Sequence, residues 1–144
     1  MDISVSREIA APARRVWDLL VDWERQGEWM PLTKVRVLPG PREGAGTRLE
    51  AVTGVGRAAV ADPMEVVDWV PPGRCVVRHD GRVLRGSGTF EIEPLSADRC
   101  RFTWREDLSA PGGAVGEAVF AGLGRVSTAF FGYALGRLAR LAER

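Results

Sequence analysis

The sequence predicts one α+β domain in which a curved antiparallel β-sheet wraps around a long C-terminal helix. Three observations support this prediction. A strand pattern followed by two short helical segments opens the chain, strand-like segments fill residues 33–108, and residues 113–144 have helical periodicity. In this order, the sheet covers its inner face only by wrapping around the last helix. Such a sheet tends to leave a cavity, so we expect function to depend on a small-molecule pocket.

Composition restricts the class of protein. With 144 residues and 45% hydrophobic content, the chain can bury one core, and we expect a single domain over residues 1–144. The net charge is +1 and the arginines are scattered, which argues against nucleic acid as a partner. There is no export-signal pattern and no apolar stretch of membrane-spanning length, so we expect a cytoplasmic protein without a membrane span. Cys75 and Cys100 are expected to be buried thiols.

The first elements follow from local patterns. Apolar and polar residues alternate over residues 3–9, which predicts a strand. Pro12 suits the first turn of a helix whose apolar residues between 16 and 20 share one face. A second short helix is predicted from Asp22, as N-cap, to Trp29, with Pro31 ending it.

The central part of the chain predicts six further strands, over residues 34–38, 47–53, 57–70, 74–79, 82–93 and 99–108. Asp62 and Pro63 suggest a break, bulge or edge position within the strand 57–70. Trp69 falls out of phase with the inward residues of that strand unless a bulge intervenes. In the strand 47–53, Arg48 and Glu50 are expected to form a solvated outer ladder with neighbouring charges.

Glycines are frequent in the C-terminal helix, where each costs helix stability. We expect close packing to explain Gly132 and Gly136. For the glycines between residues 112 and 124, two interpretations stay open: close packing, or a loose segment that opens to admit a ligand.

Short motifs occur in order along the whole chain, at residues 9–13 (IAAPA), 16–17 (VW), 22–23 (DW), 29–31 (WMP), 46–48 (GTR), 66–74 (VVDWVPPGR), 88–94 (GTFEIEP) and 101–104 (RFTW). With these motifs the chain resembles the START-like (SRPBCC) superfamily and, within it, the polyketide cyclase/dehydrase-like branch. The resemblance implies a helix-grip fold with a cavity between sheet and helix. It also implies a role among aromatase/cyclases of tethered polyketides, lipid binders and hormone binders, without selecting one of them.

The strand 99–108 gives the sharpest prediction of a site residue. Its residues 100, 102, 104, 106 and 108 share one face, and the apolar ones among them require this face to be the inner one. Glu106 is therefore predicted to face the cavity, where it would serve as polar ligand anchor or as general acid or base. The simpler interpretation is that Glu106 pairs with an inward arginine or lies at the wet end of its strand.

His79 is the only histidine. Asp80-Gly81 predicts a tight hairpin directly after it, so we expect a solvated hairpin histidine rather than a catalytic base. In the following strand, Gly86 and Gly88 share the inner face, where they would leave volume open for a cavity or permit the sheet to bend.

The remaining candidate site residues are apolar or possible partners of Glu106. The predicted cavity wall consists of Trp29, Met30, Met64, Phe90, Phe102, Trp104, Phe120 and Phe130. Trp29 is expected near the opening. Tyr133 and Arg85 are candidate catalytic partners of Glu106. The alternative for Tyr133 is that its hydroxyl simply reaches solvent.

Three functions remain open at this point. The first is binding of a hydrophobic small molecule, such as a lipid or an aromatic polyketide-like compound. The second is cyclase, aromatase or dehydrase activity that uses Glu106 as acid or base. The third is an immunity-like or protein-interaction module with a collapsed pocket. No metal-binding, phosphate-binding or nucleophile motif is present, so we expect no metal and no cofactor, and we expect a monomer or a homodimer.

Overall fold

The computed structural model describes residues 2–82, 84–109 and 112–144, without the side chains of residues 115–126. The elements in chain order are strand β1 (Asp2–Ile9), helix α1 (Ala13–Leu20), a 3-10 helix (Trp23–Glu28), β2 (Thr33–Val37), β3 (Arg48–Thr53), a 3-10 turn (Gly56–Ala58), β4 (Val60–Val70), β5 (Arg74–Asp80), β6 (Arg85–Ser96), β7 (Arg99–Ser109) and helix α2 (Gly113–Ala142).

The strands form one curled, fully antiparallel sheet in the order β1-β7-β6-β5-β4-β3-β2. The first two strands of the chain are therefore the two edges, and α1 with the first 3-10 helix connects them. Helix α2 lies against the inner face of the sheet, where the ring of Phe131 stands 4.2 Å from that of Trp104. This is the helix-grip architecture that the sequence predicts.

The C-terminal half of α2 is attached to α1 and β1. Ala134, Leu135 and Leu138 of α2 are buried in the same core as Ile9 and Trp17. The Arg15 guanidinium donates to the carbonyl oxygens of Ala142 at 2.6 Å and Leu141 at 3.1 Å. These hydrogen bonds satisfy carbonyls that the end of a helix leaves without partners.

The outer face of the sheet carries charged side chains in cross-strand pairs. Arg36 binds Glu50 at 2.9 Å and Arg105 binds Glu91 at 2.7 Å. Glu50 thus takes part in the outer ladder that the sequence predicts. Because the outer face holds these charges, the sheet has only its inner face available for the core.

The second helix differs from the prediction. It is a 3-10 helix, and Asp22 makes no side-chain capping hydrogen bond. Within this helix the backbone closely approaches the start of β2, because a Cβ at Gly27 would lie only 2.7 Å from the carbonyl oxygen of Thr33. Gly27, which weakens a helix in isolation, is here the residue that permits the contact.

Strand β4 lies inside the sheet and pairs continuously with β3 through Asp62 and Pro63, so the break, bulge or edge expected there is wrong, and the bulge lies further along the strand. The register of β4 with β5 shifts between Val66 and Asp68. The shift turns Trp69 inward, where its ring lies 5.0 Å from that of Trp17. The preceding residues 56–58 form a 3-10 turn rather than the start of the strand, which begins at Val60.

The predicted close packing of the helix glycines is wrong for Gly132, which is exposed and would place a Cβ with nothing within 4 Å. At Gly136 a Cβ would meet only the tips of Arg140 and Arg7, at 3.8 and 3.9 Å. Gly116, Gly122 and Gly124 fall in the part of α2 whose side chains lie outside the described residues. Both cysteines are free and buried, as predicted. None of the helices in the described ranges is both long and apolar enough to cross a membrane.

Candidate functional site

A cavity of about 500 Å³ lies between the inner face of the sheet and α2. Most residues that line it are apolar. The polar side chains among the described lining residues are Gln26, Thr33, Thr53, Asp62, His79, Glu106 and Ser127. The site therefore combines an apolar wall with a small number of polar groups, three of which are ionisable.

Strand β7 carries Glu106 into this cavity. Burial alternates strictly along the strand, so the even-numbered residues from 100 to 108 point inward. Glu106 is only 7% exposed. A carboxylate in this position needs partners, because burial of an unpaired charge is costly.

The partners of Glu106 come from two strands. Its Oε2 accepts from Nε2 of His79 at 2.9 Å, and its Oε1 accepts from Nε1 of Trp104 at 2.8 Å. On the other side of the imidazole ring, Nδ1 lies 2.9 Å from both carboxylate oxygens of Asp62. We call Asp62, His79 and Glu106 the carboxylate–imidazole cluster.

The cluster spans four adjacent strands, with Asp62 on β4, His79 on β5 and Glu106 on β7. The strand between His79 and Glu106 is β6, where Gly88 pairs directly with Glu106. A Cβ at Gly88 would lie 2.8 Å from Oε2 of Glu106 and 2.9 Å from Oε1. The space that glycine leaves open is thus occupied by the Glu106 carboxylate, and any larger residue would displace it.

The two carboxylates control the charge of His79. Burial disfavours the charged ring, but the hydrogen bonds and charges of Asp62 and Glu106 outweigh it and raise the pKa of His79 from 6.5 to about 10. The ring is therefore doubly protonated at neutral pH, and each of its N–H groups donates to one carboxylate. With both carboxylates ionised, the formal charge of the cluster is −1.

The expectation of a solvated His79 is wrong. The side chain is 6% exposed because β5 continues to Asp80 and His79 shares the inward phase of Cys75 and Val77. The connection to β6 is also longer than a tight hairpin, since β6 begins only at Arg85. The alternation along β5 predicts an inward His79, whereas the turn motif Asp80-Gly81 wrongly indicates a solvent-exposed one.

The predicted wall residues divide into three groups. Met30, Met64, Phe90, Trp104 and Phe130 line the cavity. Trp29 and Phe102 do not, because they are buried in the core behind the wall, 1% and 0% exposed, and contact Phe90 there. The prediction of Trp29 near the opening is therefore wrong. The side chain of Phe120 lies outside the described residues.

Two candidate partners of Glu106 are placed elsewhere. Tyr133 is 59% exposed on the solvent side of α2 and does not line the cavity. Arg85 is exposed at the start of β6, where its Nε donates to the carbonyl oxygen of Gly81. A catalytic role next to Glu106 is therefore not available to either side chain in this structure.

Sequence reasoning missed several lining residues. Asp62 shares the phase of Met64 on β4, so alternation could have found it, but the adjacent Pro63 suggested a break. Cys75 lines the wall as a neutral thiol, because burial and, second, the charge of Asp68 raise its pKa to about 12. Within the described ranges, no three side chains of the ligand types His, Cys, Asp and Glu converge on a metal-binding arrangement. The imidazole stands between the two carboxylates and keeps them apart.

Comparison with known proteins agrees with this architecture. The family model described as polyketide cyclase / dehydrase and lipid transport matches residues 1–143. Among curated proteins, no sequence gives a significant match.

Similar solved structures share the fold at low sequence identity. The protein TTHA0849 from Thermus thermophilus has 20% identity and a TM-score of 0.80, with 97% of this chain and 95% of that one covered. A START superfamily protein from Mycobacterium smegmatis has 19% identity and a TM-score of 0.79, with coverage of 97% and 98%. The Zhui aromatase/cyclase from Streptomyces sp. R1128 has 21% identity and a TM-score of 0.74, with coverage of 97% and 94%. Because the family model spans nearly its full length, the chain belongs to the polyketide cyclase / dehydrase and lipid transport family.

Proposed function

We propose that this protein binds an apolar small molecule, with an aromatic polyketide-like or lipid-like skeleton, in the cavity between the sheet and α2. The observation that carries the proposal is the cavity itself, about 500 Å³ in volume and walled largely by apolar side chains. Small-molecule sites typically have volumes of about 300–1,000 Å³ and a mostly apolar lining with a few fixed polar groups.

The wall suits such a ligand. Phe90, Trp104 and Phe131 form a contiguous aromatic surface, with ring centroids 4.2 and 5.7 Å apart. Flat rings provide apolar contact area to a planar or extended guest, and Met30 and Met64 adapt to its outline. The carboxylate–imidazole cluster supplies the polar anchor.

The similar proteins support the same class of ligand. The family description includes both cyclase / dehydrase and lipid transport members, and the Zhui protein is named an aromatase/cyclase. All of these names are compatible with an apolar guest held under the long helix.

The test is a binding titration with a matched pair of variants. Trp23 and Trp104 line the cavity, so a bound guest is expected to change the tryptophan fluorescence. Val77→Trp places a large side chain in the cavity, whereas Val76→Trp places it on the opposite face of the same strand. We expect a panel of aromatic and lipid probes to include ligands of the wild type and of Val76→Trp, with affinity lost in Val77→Trp. Failure of every probe to bind the wild type, or equal binding to both variants, would refute the proposal.

A second candidate is cyclase, aromatase or dehydrase activity in the same cavity. It is favoured by Glu106, a buried carboxylate beside a protonated imidazole at the cavity wall, since this pair can exchange a proton with a bound substrate. On this proposal, Glu106→Gln abolishes turnover of a polyketide-like substrate while binding and fold persist, and Glu91→Gln on the outer face leaves turnover intact. Turnover that survives Glu106→Gln would exclude the mechanism.

The third function, an interaction module with a collapsed pocket, requires bulky side chains that fill the space under α2. The described residues leave that space open, so we do not propose it. The expectation of a monomer or homodimer stays a prediction, and light scattering on the purified protein would check it.

A further inference from the structure

The polar groups of the cavity are unequal in their hydrogen-bonding capacity. Both N–H groups of His79 are directed at Asp62 and Glu106, and the indole N–H of Trp104 is directed at Glu106. The four carboxylate oxygens, by contrast, have two lone pairs each and keep acceptor capacity beyond these bonds. The cluster can therefore accept hydrogen bonds from a guest, but its own donors are engaged.

Some of the neutral polar groups at the wall likewise have donors engaged within the protein, whereas the indole N–H of Trp23 is buried without a hydrogen-bond partner in the described part of the chain. The Thr33 hydroxyl donates to the carbonyl oxygen of Pro31, which leaves the Thr53 hydroxyl to donate to Thr33. The side-chain amide of Gln26 donates to the carbonyl oxygen of Leu20. The Ser127 hydroxyl, which also lines the cavity, can accept as well as donate.

The charge of the site points in the same direction. Two carboxylates flank one imidazolium, and no lysine or arginine lines the cavity among the described residues. The apolar wall keeps water from screening the excess negative charge. A carboxylate on the guest would be repelled by this charge and would have no positive partner of its own. A cation would bring the positive groups to two, equal to the number of carboxylates.

We propose that the guest carries a protonated amine on an apolar, ring-containing skeleton, and that the ammonium group docks on the carboxylates of Asp62 and Glu106. This inference rests on the proposed binding function and specifies its ligand class. The rings of Phe90, Trp104 and Phe131 hold the skeleton, and the cluster selects the polar end. Fatty acids and other apolar carboxylic acids bind the site more weakly than the matching amines.

The experiment compares three probes that share one ring system: naphthylethylamine, naphthylethanol and naphthylacetic acid. Their dissociation constants are measured by calorimetry at neutral pH on the wild type, Glu106→Gln, Asp62→Asn and the control Glu91→Gln. Glu91 lies on the outer face, paired with Arg105, so its change alters the net charge of the protein without reaching the cavity.

We expect the wild type and Glu91→Gln to bind the amine at least about tenfold more tightly than the acid, with the alcohol between them. In Glu106→Gln the preference should fall to less than about threefold, because the cluster loses its excess negative charge. Asp62→Asn should lower the preference for the amine in the same way, and it provides the test if Glu106→Gln does not fold.

Three results overturn the inference, and they are distinguishable. If the alcohol binds but the acid binds as tightly as the amine, the charge selection is wrong and the cavity is still a binding site. If no probe, charged or neutral, binds the wild type, the proposed function and the inference fail together. A preference for the amine that is unchanged in both cluster variants would also overturn it, since the selection would then originate elsewhere.

Discussion

The carboxylate of Glu106 is positioned by residues of three neighbouring strands. His79 on β5 and Trp104 on β7 each donate to one of its oxygens, and Gly88 on β6 leaves the space it occupies. Hydrogen bonds to a charged group are about twice as strong as those between neutral groups. The position of the Glu106 carboxylate therefore depends on Gly88 as well as on its hydrogen-bond partners.

Gly88→Ala tests this arrangement. The added methyl group would lie within 3 Å of both Glu106 oxygens, so the carboxylate must move and lose at least one of its bonds. We expect a loss of about 1–3 kcal/mol in the free energy of unfolding, measured with urea. In the control Gly132→Ala, where a methyl group meets nothing, we expect a gain of about 0.5–1 kcal/mol. Equal effects at the two positions would contradict the packing of Glu106 over Gly88.

The ionisation of His79 is a second residue-level prediction. The pKa of its imidazole is 6.5 without partners and about 10 in the folded protein, so folding binds a proton more tightly. The stabilisation by this proton is complete below pH 6.5, decreases as the pH rises, and is lost above about pH 10.

NMR can follow this titration directly because His79 is the only histidine. We expect its ring signals to titrate near pH 10 in the wild type, and at a lower pH in Glu106→Gln. Urea unfolding should show stability falling between pH 7 and 10 more steeply in the wild type than in His79→Gln, which cannot lose this proton. A midpoint near 6.5 in the wild type would contradict the buried cluster.

The residue scale also shows where sequence reasoning succeeds and fails. Alternation along β7 located Glu106 because every second residue there is apolar or aromatic. The same alternation applies to His79 and to Asp62, but a turn signal beside one and a proline beside the other concealed it. Their hydrogen bonds depend on strand register across β4 and β5, which a single sequence does not contain.

At the scale of elements, Arg15 attaches α2 to α1, and the neighbouring Arg14 is its matched control. Arg15 donates to two carbonyls at the end of α2, whereas Arg14 forms an exposed ion pair with Asp18. We expect Arg15→Ala to cost about 1 kcal/mol of unfolding free energy, and Arg14→Ala to cost less than about 0.5 kcal/mol. Both are measured by urea unfolding. If the Arg14 variant is as unstable as the Arg15 variant, the guanidinium of Arg15 does not anchor the helix end.

The order and type of the elements follow from hydrophobic periodicity, which is a property of each segment by itself. Exceptions occur where another segment decides the local conformation. In the first 3-10 helix, the carbonyl of Thr33 leaves no space for a side chain at Gly27. At the start of β6, the φ of 133° and the contact with the backbone of Asp107 exclude a side chain at Gly86. Such contacts between distant segments shift element boundaries without changing the fold.

At the scale of the whole molecule, an aromatic layer separates a solid core from a hollow. Trp29 and Phe102 fill the space on one side of Phe90 and Trp104, and the cavity lies on the other side of these two rings. The sequence predicts a sheet around a helix, and hence a hollow. It does not predict which of the strand aromatics fill the core and which face the cavity, because Phe90, Phe102 and Trp104 all have the inward phase.

The measurement that tests the central claim most directly is NMR of the tryptophan indole groups during titration with naphthylethanol. Trp23 and Trp104 line the cavity, whereas Trp17 and Trp69 contact each other outside it and serve as internal controls. If an apolar guest enters the space under α2, the signals of Trp23 and Trp104 shift in a saturable manner and those of Trp17 and Trp69 stay in place. Unchanged signals at Trp23 and Trp104 up to the solubility limit of the probe, or saturable shifts confined to Trp17 and Trp69, would contradict the account.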